Sequence, residues 1–148
     1  MKHFIITATI SLVMISSCKS RSILSEKSIS KIEKISLSER TRGTIRDFTL
    51  SNGKLESSIN GNIDSQELSQ NDWSKIVEYT EEINAEGISK LGSPSTKRYS
   101  DAALASHITI TKNGTDHQSS TFDSGNPPAE LKDLYNEVQR IIKTKKSR

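Results

Sequence analysis

The chain contains one cysteine, Cys18, and this limits its folding options more than any other feature. Without a second thiol, no disulfide can staple the fold, and past that position no thiolate can ligate a metal or act as a nucleophile. The domain must close on its apolar side chains alone. These are sparse: from Cys18 onward, Leu, Ile, Val and Phe account for 27 of 131 residues, just above the roughly 20% typical of disordered chains. A net charge of only +3 adds little self-repulsion. These features predict one small domain with a thin, two-layer core.

The N-terminus reads as an export segment, not as part of that core. Lys2 and His3 precede an apolar run from Phe4 to Ile15, broken by Thr7, Thr9 and Ser11. A membrane-crossing helix needs about 20 apolar residues, so this run is too short. It ends in Ile15-Ser16-Ser17-Cys18, which resembles the lipobox of bacterial lipoproteins. The resemblance implies cleavage between Ser17 and Cys18, acylation of the Cys18 thiol, and a protein anchored to a membrane without crossing it. Lys19-Ser20-Arg21-Ser22 is similar to the start of lipoproteins sent to the periplasmic face of the outer membrane. The expected organisation is a signal peptide over 1–17, a lipidated cysteine and Ser/Lys-rich tether over 18–34, and a single domain over 35–148.

Within the domain, Ile35 and Leu37 alternate with serines, and Thr44–Leu50 continues as strand, interrupted or bulged near Gly43. Asn52-Gly53 signals a hairpin, and Leu55, Ser57 and Ile59 return as a strand that stops near Asn60-Gly61. Trp73, Ile76, Val77, Thr80 and Ile83 share one face of a helix over about 70–84, capped by Ser69 or Asn71. A second hairpin spans Leu104 to Phe122. Keeping Phe122 beside Leu104 favours a three-residue Lys112-Asn113-Gly114 loop. The last helix opens at Asn126-Pro127 with Pro in its first turn, and Leu131, Leu134, Tyr135, Val138, Ile141 and Ile142 form its stripe. The expected fold is α+β: a four-stranded antiparallel sheet, in ββαββα order, with two helices on one face.

Chemistry-bearing residues are scattered. Asp123-Ser124-Gly125 matches an aspartic-protease triplet, but that chemistry needs two such carboxylates sharing a proton, and no second copy exists. A strand-to-helix turn explains it. The three-residue loop would make His107 and His117 diagonal neighbours on the solvent face, roughly 7 Å apart, with Asp101 or Asp116 near enough to imagine a surface metal site. Histidines are ordinary on such a face, so no metal or other cofactor is expected. Lys143, Lys145, Lys146 and Arg148 complement the last helix dipole and could touch anionic lipid or glycans. Basic residues elsewhere are interleaved with acidic ones, so nucleic acid is not expected as a partner.

Trp73, Asp101-Ala102-Ala103, and Phe122-Asp123-Ser124-Gly125-Asn126-Pro127-Pro128 with Leu131 together resemble a pattern in small bacterial envelope lipoproteins. That resemblance carries no activity to transfer. The expected function is non-enzymatic binding of a protein, peptide or glycan through the open sheet face or a strand edge. The rivals are a small envelope hydrolase using Asp101, Asp123, His107 or His117, and an inhibitor or immunity-type partner of a secreted enzyme.

Overall fold

A computed structural model describes residues 31–146. Ser17, Cys18, the apolar run and nearly all of the tether lie outside them. Seven strands and two α-helices follow in the order β1 (Ile32–Thr41), β2 (Thr44–Ser51), β3 (Lys54–Ile59), β4 (Asn62–Glu67), α1 (Gln70–Glu81), β5 (Ala105–Lys112), β6 (Thr115–Gln118), β7 (Phe122–Asp123) and α2 (Lys132–Lys146). Short 3₁₀ turns occupy Ala85–Lys90, Lys97–Ser100 and Ala129–Leu131. The class is α+β, but the expected four-stranded ββαββα plan is wrong. The sheet is seven-stranded and antiparallel, ordered β4-β3-β2-β1-β5, with β6 and β7 sharing the far edge of β5.

Turn chemistry accounts for the missed strands. Thr41 pairs with Thr44, so Arg42-Gly43 is a complete hairpin turn and not a bulge in one strand. Ile59 pairs with Asn62, and Asn60 (φ 51°) and Gly61 (φ 87°) both take the left-handed conformation that a type I′ turn requires. The chain thus turns at Asn60-Gly61 and continues as β4, a strand too polar to show an apolar alternation. Lys112 pairs with Thr115, making the second hairpin loop the two-residue Asn113-Gly114, not the three-residue loop expected. Phe122 nevertheless reaches the core. Between the pairs Thr109–Gln118 and Ser106–Phe122 the returning strand holds one extra residue, a bulge that restores its parity. Ser119 fills the break, its backbone donating to the Ile108 carbonyl (2.8 Å) and its Oγ accepting from the Ile108 N–H (3.0 Å).

Directly opposed residues of antiparallel strands share a face, so the sheet reads as rows. Ile110-Ile35-Leu50-Leu55-Gln66, Ile108-Leu37-Phe48-Ser57-Asp64 and Ser106-Glu39-Arg46-Ile59-Asn62 cross it from β5 to β4 on one face. Each row starts under the helices and turns polar by β4. The apolar portion joins Trp73 and Ile76 of α1, and Leu134, Tyr135, Val138 and Ile141 of α2, in one core. Ser69 caps α1, its Oγ accepting from the Asp72 N–H (3.1 Å) and donating to the Asp72 carboxylate (2.7 Å). α1 ends at Glu81, short of the expected 84. The two prolines precede α2 instead of entering it, which suits residues that fix φ and lack an N–H. Arg140 of α2 reaches Asp72 of α1 in an ion pair.

The opposite sheet face is open and bonds to itself. Ser36 pairs with Thr49 (3.3 Å), Ser38 donates to Asp47 (2.6 Å) and Thr111 to Asp116 (2.5 Å).

Candidate functional site

The four sequence candidates do not come together. Asp101 takes a left-handed conformation (φ 55°) and forms an exposed ion pair with Arg42 (3.2 Å). His107 opposes Ser38 on the open face, whereas His117 opposes Ile110 on the helix face. The two-residue loop thus separates the histidines that the longer loop would have made neighbours. Among the described residues, no three of His, Cys, Asp and Glu are grouped to hold a metal.

Asp123 is 1% exposed and already saturated. Its Oδ2 accepts from Ser95 Oγ (2.6 Å) and the Lys97 N–H (2.7 Å), and its Oδ1 from the Arg98 N–H and Arg98 Nη1, both at 3.0 Å. Burial pushes the carboxyl up, but the Ser95 hydroxyl and the Arg98 and Lys97 donors outweigh it and hold Asp123 well below the usual carboxylate range. Every lone pair is committed to clamping the 93–101 loop onto β7. The Asp-Ser-Gly triplet is a structural joint, as its turn chemistry suggested.

A cleft of about 580 Å³ opens where the polar ends of the rows meet the last turns of α2. This volume falls within the range that suits small ligands. One wall is the helix-side face of β2–β4: Arg46, Ser57, Ile59, Asn62, Asp64 and Gln66. Gln139, Ile142, Lys143, Lys145 and Lys146 form the other. α2 overhangs β3 and β4 because its stripe docks over β1, β2 and β5, where the rows are apolar.

At the cleft floor lies Glu39, 2% exposed. Its Oε1 accepts from Ser124 Oγ (2.7 Å), Gln139 Nε2 (3.1 Å) and, at 3.4 Å, Tyr135 Oη, while Oε2 faces Arg46 Nη1 at 3.8 Å. Tyr135 is held in turn by an edge-on contact with Phe122 (ring centroids 5.6 Å apart) and by the Gly125 N–H (2.8 Å). This network, centred on the buried Glu39 carboxylate, joins β1, β2, the 124–125 turn and α2. The rim differs. Lys143, Lys145 and Lys146 make no ion pair within 4 Å among the described residues; Lys145 acts on Asp72 of α1 at longer range, and all three line the cleft with Asn62 and Gln66.

No family model, curated protein or solved structure matches the chain.

Sequence reasoning missed Glu39, Arg46, Gln139 and all of β4. A signal existed for two of them. Reading Arg42-Gly43 as a two-residue turn places Glu39 opposite Arg46, an opposite-charge cross-strand pair. The lysines were visible as a helix end that could touch anionic lipid or glycans, without the polar strand they face across the cleft.

Proposed function

We propose that the protein is a lipid-anchored recognition module of the cell envelope that holds its ligand non-covalently in the cleft between α2 and β2–β4. The cleft carries this reading: a hydrogen-bonded floor beneath lysines that make no ion pair within 4 Å among the described residues. Among the described residues the three buried carboxylates, Asp123, Glu39 and Glu137, are occupied by structural donors, and Asp101, His107 and His117 lie outside the cleft lining. That scatter supports binding over hydrolysis.

The lipobox-like Ile15-Ser16-Ser17-Cys18 supports the anchor, and Lys19 supports the periplasmic face of the outer membrane. The described chain enters beside the β5–β6 turn, where Lys31 and Asn113 exchange hydrogen bonds of 2.9 and 3.0 Å. The row of Glu39, Arg46 and Asn62 lies at the other end of the sheet.

Two experiments test the proposal. Mass spectrometry of the mature protein should find acyl chains on Cys18, and Cys18→Ala should release the protein from the membrane fraction; an unmodified mature start elsewhere removes the anchor. NMR titration of the full chain carrying Cys18→Ala with soluble peptidoglycan fragments, acidic peptides and neutral oligosaccharides should shift resonances of Ser57, Asn62, Gln66 and Gln139 for at least one probe. Shifts concentrated on Thr49, His107 and Thr109 would move the site to the open face instead.

A further inference from the structure

β4 ends the sheet, with no strand beyond it among the described residues. Leu68 donates its backbone N–H inward to the Gly53 carbonyl (3.1 Å). Inward and outward groups alternate along an antiparallel strand, so Gln66, Asp64 and Asn62 pair with β3, while Ile63, Ser65 and Glu67 turn N–H and C=O outward. Sheet edges are usually blunted by lysine, proline or a bulge. β4, Asn-Ile-Asp-Ser-Gln-Glu, has no lysine, proline or bulge; its only charges are Asp64 on the cleft side and Glu67, and it pairs with β3 in unbroken register. The same strand lines the cleft with Asn62, Asp64 and Gln66 beneath Lys143, Lys145 and Lys146, and presents Ile63, 73% exposed, on its other side.

We propose that an extended acidic peptide adds to β4 as the next strand. Carboxylates at its cleft-side positions meet Lys143, Lys145 and Lys146, and an apolar side chain at an alternate position covers Ile63. The proposal rests on the cleft being the ligand site and names its occupant. Charge complementarity argues for it: among the described residues, four cations (Arg46 and the three lysines) line the cleft against two carboxylates. Of these carboxylates, Glu39 is buried and Asp64 accepts from Gln66 Nε2 (2.8 Å). The amides of Asn62 and Gln66 are donors and acceptors at once, as peptide groups are. Among the described residues a sugar finds no stacking platform, because the one aromatic lining the cleft, Phe48, is only 6% exposed. Strand addition supplies main-chain hydrogen bonds, and the alternate side chains supply the choice of partner.

The test is fluorescence anisotropy with a labelled peptide of the length of β4, six residues, alternating Glu and Val, on the full chain carrying Cys18→Ala. Gln/Val and Lys/Val peptides serve as controls. The acidic peptide should bind about ten-fold tighter than the Gln/Val peptide, the sum expected of a few exposed ion pairs. Added salt and the triple variant Lys143→Ala/Lys145→Ala/Lys146→Ala should each erase the difference. Ser65→Pro removes one outward N–H and no bond to β3; it should abolish binding of all three peptides with the urea midpoint unchanged. Equal binding of the three peptides overturns the charge argument, and unchanged binding by a folded Ser65→Pro chain overturns strand addition. Binding to anionic vesicles with no peptide binding transfers the lysines to a lipid surface. If no peptide binds but a sugar or peptidoglycan fragment shifts the cleft resonances, the inference falls and the cleft stands. If no probe shifts them, both fall.

Discussion

Gln139 on α2 donates to Glu39 on β1 at 3.1 Å, and this bond ties the overhanging helix to the centre of the sheet. Removing the carboxylate would take from the Ser124 hydroxyl and the Gln139 amide one of the two acceptors within reach, leaving each only Tyr135 Oη. An unsatisfied buried polar group costs about 1–3 kcal/mol, so Glu39→Ala should lower unfolding free energy by about that amount in urea titrations. Gln139→Ala, which removes one donor at the cleft edge, should cost less.

Asp123 is the second fixed point. Its carboxyl titrates well below the ordinary range when folded, whereas in the unfolded chain it titrates near 3.9. The stability this provides is complete above about pH 4 and is lost as pH falls below that value. Asp123→Asn should therefore destabilise the protein at neutral pH and flatten the acid limb of its pH–stability curve. The 93–101 loop should also open. The Arg98 side chain, 8% exposed in the native protein, should become a site of rapid trypsin cleavage in the variant.

His107 gives a pH effect nearer neutrality. Burial, then the neighbouring Arg40 charge, lowers its pKa against the opposing pull of Asp47. The folded protein binds the proton less readily than the unfolded chain, so stability falls as pH drops below about 6.5. The thermal midpoint should decline across that range, and His107→Gln should reduce the decline. NMR titration of the imidazole should give a midpoint below 6.5.

In the bulge between β6 and β7 one hydroxyl, that of Ser119, joins a backbone bond in holding Ile108. Ser119→Ala removes the acceptor for the buried Ile108 N–H and should cost about 1–3 kcal/mol. Faster amide exchange at Ile108 would locate the effect.

What the sequence disclosed, and what it hid, follows from where the apolar residues lie. Both helices were visible because Trp73, Ile76 and Thr80, and Leu134, Val138 and Ile141, recur at helical spacing and are buried. Asn52-Gly53 marked its hairpin for the same local reason. β4 was invisible because Asn62, Asp64 and Gln66 have no apolar side to alternate with. The loop length at Asn113-Gly114 was misjudged because a bulge three residues beyond Thr115-Asp116-His117 restores the parity that a longer loop was invoked to supply. The cleft depends on these same non-local facts: it forms where a polar strand passes beyond the helices. Its floor unites Glu39, Ser124 and Gln139, which are remote in sequence and carry no shared motif.

Amide hydrogen exchange on the full-length protein tests the central claim, that the cleft is the ligand site, most directly. The measurement compares the protein in native envelope membranes with the same protein purified in detergent. The account predicts slower exchange in the envelope at Asn62–Glu67 of β4 and in α2 from Gln139 to Lys146. Protection concentrated on β1 and β5 around Ser38 and His107, or no difference anywhere, would contradict it.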